Sequence, residues 1–276
     1  MISGFGVVPA DERPDPDVAY WEHDAEDYYR EHGAFLGDDR LVWCPEGLDE
    51  AAAALLGELS GRRVVEIGCG GAQGSRWAAR QGALAVGIDL AAGMLRVAER
   101  LGAADFALIQ CDATALPFAD RTFDVAFSAM GALPFVPSLG EVHREVARVL
   151  RVGGSWVFST DHPFAWVFPD SPDPQSLTVR RSYFDRRAYI ERSEDGRLSY
   201  TQCHATLADH VTALTGAGFV IERLIEPEWS KSGGAADGEW GAWSRQRGRL
   251  VPSTLIVAAR LAPQGTTPTG GVSRRP

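Results

Sequence analysis

The sequence predicts an α/β protein: a doubly wound, mostly parallel seven-stranded sheet with helices on both faces and a last antiparallel strand. Three observations carry that prediction. Short, almost wholly apolar runs recur along the chain, as strands covered on both faces require. Runs with helical spacing separate them. Glycines stand at the joints, most densely just after the first apolar run, at Gly68, Gly70, Gly71 and Gly74.

Taken in order, Arg63–Ile67 (RVVEI) reads as a buried strand, followed by the glycine loop and a helix over Ala72–Arg80 that Gly82 stops. Ala83–Asp89 is a second strand, and Ala91–Leu101 a helix closed by Gly102. Phe106–Cys111 and Phe123–Ser128 are the third and fourth strands. Ser138 and Glu141 have the spacing of a capping box, opening a helix that carries Val142, Val146, Val149 and Leu150. Gly153-Gly154 reads as a turn into a fifth strand, Ser155–Thr160. A helix over Leu207–Leu214 and strands Phe219–Ile225 and Ser253–Ala259 complete the alternation.

Five stretches stand outside it. Residues 1–17, with prolines, acids and little apolar content, read as a loose arm. Residues 18–60 read as an N-terminal helical lid on a core domain spanning 61–262. Within that domain, insertions at 161–205 and 227–252 leave from strand carboxyl ends and should overhang a ligand there. Residues 263–276 are turn-formers and read as a disordered tail.

Composition narrows the function. Of 276 residues, 45% are hydrophobic, enough for a proper core. No run of 18 apolar residues occurs and the N-terminus is acidic, which argues against a membrane span or a secretory signal. Cys44, Cys69, Cys111 and Cys203 form no CxxC pair, so neither a metal site nor a disulfide framework is expected, and free thiols fit the cytoplasm. Lys231 is the sole lysine among arginines, a composition we attribute to GC-rich codon usage. A net charge of -10 argues against nucleic acid as partner. The expected partner is a small molecule, met by a monomer or homodimer.

The informative segment is Glu66 to Gly74 (EIGCGGAQG). A glycine loop after a buried strand lets the backbone approach a ligand, but plain turns and dinucleotide enzymes share it. The dinucleotide pattern needs a third glycine where Gln73 stands. Glu66, just before the loop, would repel a pyrophosphate but attract an ammonium and a sulfonium. Asp89 ends the second strand, where a carboxylate can hold two ribose hydroxyls. Asp112 ends the third, where it can accept from an adenine amino group. Any one such Asp could merely cap a helix; three in this order point to a cationic, adenosine-containing ligand.

The stretches VVEIGCG, GIDLAAGML, CDATALPFADRTFDVAFS and REVARVLRVGGSWVFST, from Arg62 to Thr160, resemble the class I S-adenosylmethionine-dependent methyltransferases. The resemblance implies that Glu66, Gly68 and Gly70 face the methionine part of that cofactor and Asp89 its ribose. It sets Asp112 and Ala113 at the adenine, Leu90 and Met94 beside the base, and Ser128 and Ala129 near the transferred methyl. Tyr28, Trp43 and Glu46 would belong to a segment closing over the cofactor. Met94 is equally readable as core. Ala72 departs from the pattern, since many members have a glycine there, and its small size predicts no loss of binding.

A proton acceptor is needed only when the acceptor atom must lose a proton. His162, with Asp161 before it, follows the fifth strand and is the candidate base or orienter; it could equally just bond the loop beside Pro163. His204 is a second candidate, while His143 and His210 fall in helical patterns and read as surface residues. Trp21, Trp43, Trp166, Trp229, Trp240 and Trp243 lie in the extra segments, where they either line an aromatic or apolar substrate cavity or pack loops. Arg180–Arg197 could recognise an acidic substrate, but a salt-bridged, solvated hairpin fits it better. The resulting expectation is methyl transfer to an O, N or C nucleophile of a small molecule. The alternatives are an RNA or protein methyltransferase, a nicotinamide oxidoreductase, disfavoured by Gln73 and Glu66, and a non-catalytic adenosyl-ligand sensor.

Overall fold

The computed structural model describes residues 2–6, 15–196, 198–229, 234–235 and 240–263. The chain runs β1 (Ile2–Gly6), α1 (Asp15–Leu36), α2 (Glu50–Ala53), β2 (Arg63–Ile67), α3 (Gln73–Arg80), β3 (Leu84–Asp89), α4 (Ala92–Leu101), β4 (Ala107–Gln110) and β5 (Phe123–Ser128). There follow α5 (Leu139–Val149), β6 (Leu150–Asp161), β7 (Ala188–Arg192), β8 (Leu198–Gln202), α6 (Leu207–Gly216), β9 (Phe219–Ile225), α7 (Arg245–Gly248) and β10 (Thr254–Leu261).

A seven-stranded sheet has the order β4-β3-β2-β5-β6-β10-β9. Its strands are parallel from β4 to β6, and β10 lies antiparallel to both β6 and β9. Side chains alternate between the two faces of the sheet. Val65, Ile67, Trp156, Phe158, Leu255 and Val257 join Val142, Val146 and Leu214 of α5 and α6 in one core layer. Val64, Val125, Phe127, Val157 and Ile256 join Trp43, Leu56, Leu59 and Ala78 in the other. Sequence order reverses at β2, with β3 on one side and β5 on the other, and ligands of such sheets bind at that crevice.

β6 begins five residues earlier than the pattern predicts, because Gly153-Gly154 forms an irregularity inside the strand instead of a turn. Gly153 has a φ of +78°, and a Cβ on Gly154 would stand 2.8 Å from the Arg151 carbonyl oxygen. The pairing with β5 shifts register there.

The N-terminal arm is not loose throughout. Residues 2–6 form β1, which pairs antiparallel with β7 and makes a second, three-stranded sheet in the order β1-β7-β8. Five glycine-rich residues carry little strand signal of their own; the pairing comes from a partner far along the chain. Helix α1 starts at Asp15, inside the predicted arm. The predicted disordered tail, from residue 264 onward, lies outside the described residues.

Residues 18–60 divide in two. Helix α1 packs on α4 so closely that a Cβ on Gly93 would meet the Glu22 carbonyl oxygen at 2.5 Å, and Glu22 Oε2 accepts from the Gly93 N–H at 2.7 Å. The rest is core rather than lid. Trp43 is fully buried, its ring edge-on to Phe127 and its Nε1 donating to Glu50 Oε2 at 2.8 Å. Trp43 faces neither cavity described below, so its predicted place at the cofactor is corrected. Glu46 is likewise buried, accepting from Thr254 Oγ1 at 2.8 Å, and burial raises its pKa. Trp43→Phe should strand Glu50 Oε2 in the interior and lower stability in urea denaturation by about 1–3 kcal/mol. S-adenosylhomocysteine affinity should stay unchanged in calorimetry.

Candidate active site

A cavity opens at the carboxyl ends of β2, β3 and β5, beneath α1. The turn after β2 is forced by close approach: Gly68 has a φ of +67°, and a Cβ there would lie 2.5 Å from the Ala132 backbone nitrogen. Ala72, the N-cap of α3, also has left-handed backbone, with φ of +58°. The missing glycine therefore matters through backbone strain, of order 1–2 kcal/mol, and not through side-chain size.

Asp89 ties this loop to β3. Its Oδ2 accepts from the Gly70 N–H at 2.8 Å and its Oδ1 from the Ala91 N–H at 3.0 Å. Glu66 is buried at the end of β2, and its Oε2 accepts from both the backbone N–H and the hydroxyl of Ser75 at 2.6 Å. Burial outweighs these bonds and pushes the Glu66 carboxyl up to about 7. Burial likewise raises Asp89. Asp112 Oδ1 accepts from the N–H and hydroxyl of Thr114, so this acid does brace its own turn, yet it also lines the cavity.

Gly68, Gly70, Leu90, Met94, Ala113, Ala129 and Tyr28 line the same cavity. Met94 belongs to both readings, since it also packs with Ala25, Ala91 and Val97. Ser128 does not: it is fully buried and faces neither cavity, because β5 alternates and Ala129 takes the open side. Buried Arg76 had no sequence signal. It donates to the Gly71 carbonyl at 2.6 Å and the Ala98 carbonyl at 3.4 Å, bracing the loop from behind. Met130, with φ of +53° and its N–H bonded to Ser159 Oγ, was equally silent.

A second cavity, of about 500 Å³, adjoins the first. Trp21, Tyr28, Met130, Phe135 and Val136 line both and so form the passage between them. Its outer walls come from β7, β8 and the two insertions. Trp21, Trp166, Trp240 and Trp243 line it, whereas Trp43 and Trp229 are buried packing residues, so both readings of the tryptophans hold in part. The predicted hairpin exists as β7 and β8, with Arg186 bonded to Asp209 and Arg187 to Asp185, but its Tyr189 and Tyr200 face this cavity.

The histidines are rearranged relative to expectation. His162 lines the second cavity, but its Nδ1 accepts from the Phe164 N–H at 3.1 Å and its Nε2 pairs with Glu226 at 2.9 Å. With Nδ1 accepting, Nε2 carries the proton, and no lone pair remains for a base; His162 fixes its turn instead. His143 and His210 are buried, not surface residues, and His143 accepts from Trp156 Nε1 at 3.2 Å. In His204, Nε2 faces the Tyr183 carbonyl at 2.8 Å and must donate, which leaves Nδ1 as the lone pair.

Asp161 stands at the carboxyl end of β6 in the second cavity, where Gln202 Nε2 donates to it. Burial, with help from Asp170 and Glu46, raises its carboxyl to about 7. The structure thus moves the candidate base from His162 to its neighbour.

The raised acids set a pH dependence. Glu66 titrates from 4.5 in the unfolded chain to about 7 in the fold. Between those values the folded state holds the extra proton, so stability falls as pH rises through that window and levels off above it. Asp161 acts with the same sign between 3.8 and about 7. Thermal denaturation of the ligand-free protein should show this decline, and Glu66→Gln should remove part of it. A profile unaltered by that substitution would mean that Glu66 is solvated.

A family described as methyltransferase domain matches residues 65–158. The malonyl-[acyl-carrier protein] O-methyltransferase of Pseudescherichia vulneris is 37% identical over 114 residues, covering 40% of this chain and 45% of that protein. The chain therefore spans under half the length of that curated relative. An S-adenosylmethionine-dependent methyltransferase structure from Mesorhizobium loti superposes with a TM-score of 0.58 and 28% identity, covering 76% of this chain and 95% of that one. Geranyl diphosphate C-methyltransferase from Streptomyces coelicolor A3(2), solved with S-adenosyl-L-homocysteine, shares the fold at 16% identity and a TM-score of 0.55, over 95% and 91% of the two chains. The matched segment contains the glycine turn and the three acids that ring the first cavity, so residues 65–158 form a methyltransferase domain, set in a chain with the Rossmann-like class I S-adenosylmethionine-dependent methyltransferase fold.

Proposed function

We propose that this protein transfers the methyl group of S-adenosylmethionine to a small molecule held in the second cavity. One observation carries the reading: Glu66, Asp89 and Asp112 converge on a cavity that communicates, past Trp21, Tyr28, Met130 and Phe135, with a larger aromatic-walled one. The donor set of the first cavity fits the cofactor. A buried carboxylate at Glu66 suits an ammonium, and each Asp89 oxygen keeps a lone pair for ribose hydroxyls after serving one backbone N–H. Asp112 with Ala113, and Leu90 with Met94, would take the adenine.

When bound, the cofactor supplies an activated methyl group, so the chain need only align the acceptor, exclude water and take up a proton. Helix α1 roofs the first cavity with Val18, Trp21 and Tyr28, and we assign it the water-excluding role. Asp161 would accept the proton of an oxygen or carbon acid. Gln202, on β8, orients it, and the next residue's N–H binds the Pro134 carbonyl beside the passage. The net charge of -10 supports a non-nucleic-acid acceptor. Four free thiols support a cytoplasmic setting, and among the described residues no helix is long and apolar enough to cross a membrane.

Calorimetry should show binding of S-adenosylmethionine and S-adenosylhomocysteine but not of NAD or NADP; tight dinucleotide binding would end this reading. Asp89→Ala should weaken the cofactor by about 1.5–3 kcal/mol, since a charged acceptor is lost. Transfer of labelled methyl into a small-molecule extract should rise with pH through about 7, following the Asp161 carboxyl. Asp161→Asn should lower that transfer and flatten the profile; an unaltered profile would remove Asp161 from the chemistry.

A further inference from the structure

The far wall of the acceptor cavity holds a cation that no protein anion contacts among the described residues. Arg181 lines the cavity, its guanidinium carbon 3.9 Å from the Phe5 ring centroid and 5.1 Å from that of Trp166. Lying against two rings fixes the plane of the guanidinium and leaves its N–H edge for an oxygen pair. Among the described residues Arg181 makes no hydrogen bond or ion pair. Asp170 and Asp185 reach it only through their fields, and Asp185 is already held by Arg187 at 2.6 Å. Arg247, the other arginine on this cavity, is engaged differently: it donates to the carbonyls of Pro169 and Ser171 at 2.8 and 2.6 Å.

Two residues of the same cavity, Trp166 and Trp240, keep their indole Nε1 atoms buried without acceptors among the described residues. Desolvated donors are costly unless a ligand satisfies them. Trp166 also stacks on His204, with ring centroids 5.0 Å apart and planes within 5°. That stack holds the Trp166 ring beside Arg181.

This wall belongs to the second cavity alone: Arg181, Trp166 and Tyr189 line it, and none of them lines the first. From Phe5 to Tyr189, Tyr189 to Tyr200 and Tyr200 to Phe135 the ring centroids step by 5.6, 6.2 and 5.9 Å, and only Phe135 borders the passage. We propose, on the methyltransferase reading above, that the methyl acceptor carries a carboxylate at the end remote from the transferred methyl, seated on Arg181. Asp24, Glu31, Asp161 and Asp170 also line the cavity and favour one negative charge over a phosphate dianion.

The probes are benzoate and benzamide, matched in size and ring, titrated by calorimetry into protein saturated with S-adenosylhomocysteine. Benzoate should bind the wild type roughly tenfold or more tightly than benzamide, as a forked, charge-assisted pair implies. Arg181→Met should abolish the preference and Arg181→Lys keep only part of it, while melting temperature and S-adenosylhomocysteine affinity stay unchanged. Inorganic phosphate should not displace benzoate. Equal binding of the two probes, no benzoate binding up to its solubility, or a preference surviving in Arg181→Met overturns the assignment. Failure of S-adenosylhomocysteine to bind would instead strike the methyltransferase reading.

Discussion

The close approach of two loops at the carboxyl ends of β2 and β5 governs the rest of this molecule. The turn at Gly68 leaves no room for a side chain against Ala132, and a Cβ on Gly131 would lie 2.6 Å from the Gly68 carbonyl oxygen. With the loops this near, residues just past β5 reach both cavities, which is how Met130 and Phe135 come to line the passage. The left-handed backbone of Met130 is the local expression of the same crowding.

Around that contact the protein concentrates acids where water is scarce. Glu66, Asp89 and Asp161 all bind protons more tightly than in water, and burial is the largest cause in each. An interior of this kind is under-compensated for positive charge. It gains most from a ligand that brings a cation, because one ligand charge relieves a desolvation penalty already present in the fold. Glu66, beside the glycine turn, would by the same token repel a pyrophosphate.

What could be read from the sequence follows the range of the interactions involved. The bounds of β2, β5 and β9 are legible to the residue, because buried strands and flanking glycines are local signals. Glu66, Asp89 and Asp112 are legible as acids of one cavity for the same reason, lying at strand ends. Trp43 was misassigned because sequence cannot tell a tryptophan beside a ligand from one bonded to a buried Glu50. For His162 the sequence left open a base and a loop bond beside Pro163; the Phe164 N–H at its Nδ1 favours the second, while its other partner, Glu226, is 64 residues away. His143 and His210 sit in helices whose buried faces include them, and a polar residue type hid that. Arg76 and Met130 gave no signal, since their roles exist only once the loops have met.

The small sheet β1-β7-β8 joins the start of the chain to its middle: Ile2 stands opposite Arg192 and Gly6 opposite Ala188. Closing so long a loop is entropically expensive and is rewarded by only a few backbone pairs. The second cavity thus takes part of its wall, Tyr189 and Tyr200, from this small sheet, with Phe5 packed behind Tyr189 and Arg181. Cooperative units of this kind open at a small fraction of the global unfolding free energy. The doubly wound sheet makes no use of that pairing, so a change at Ile2–Gly6 would be felt at the second cavity and not at the first.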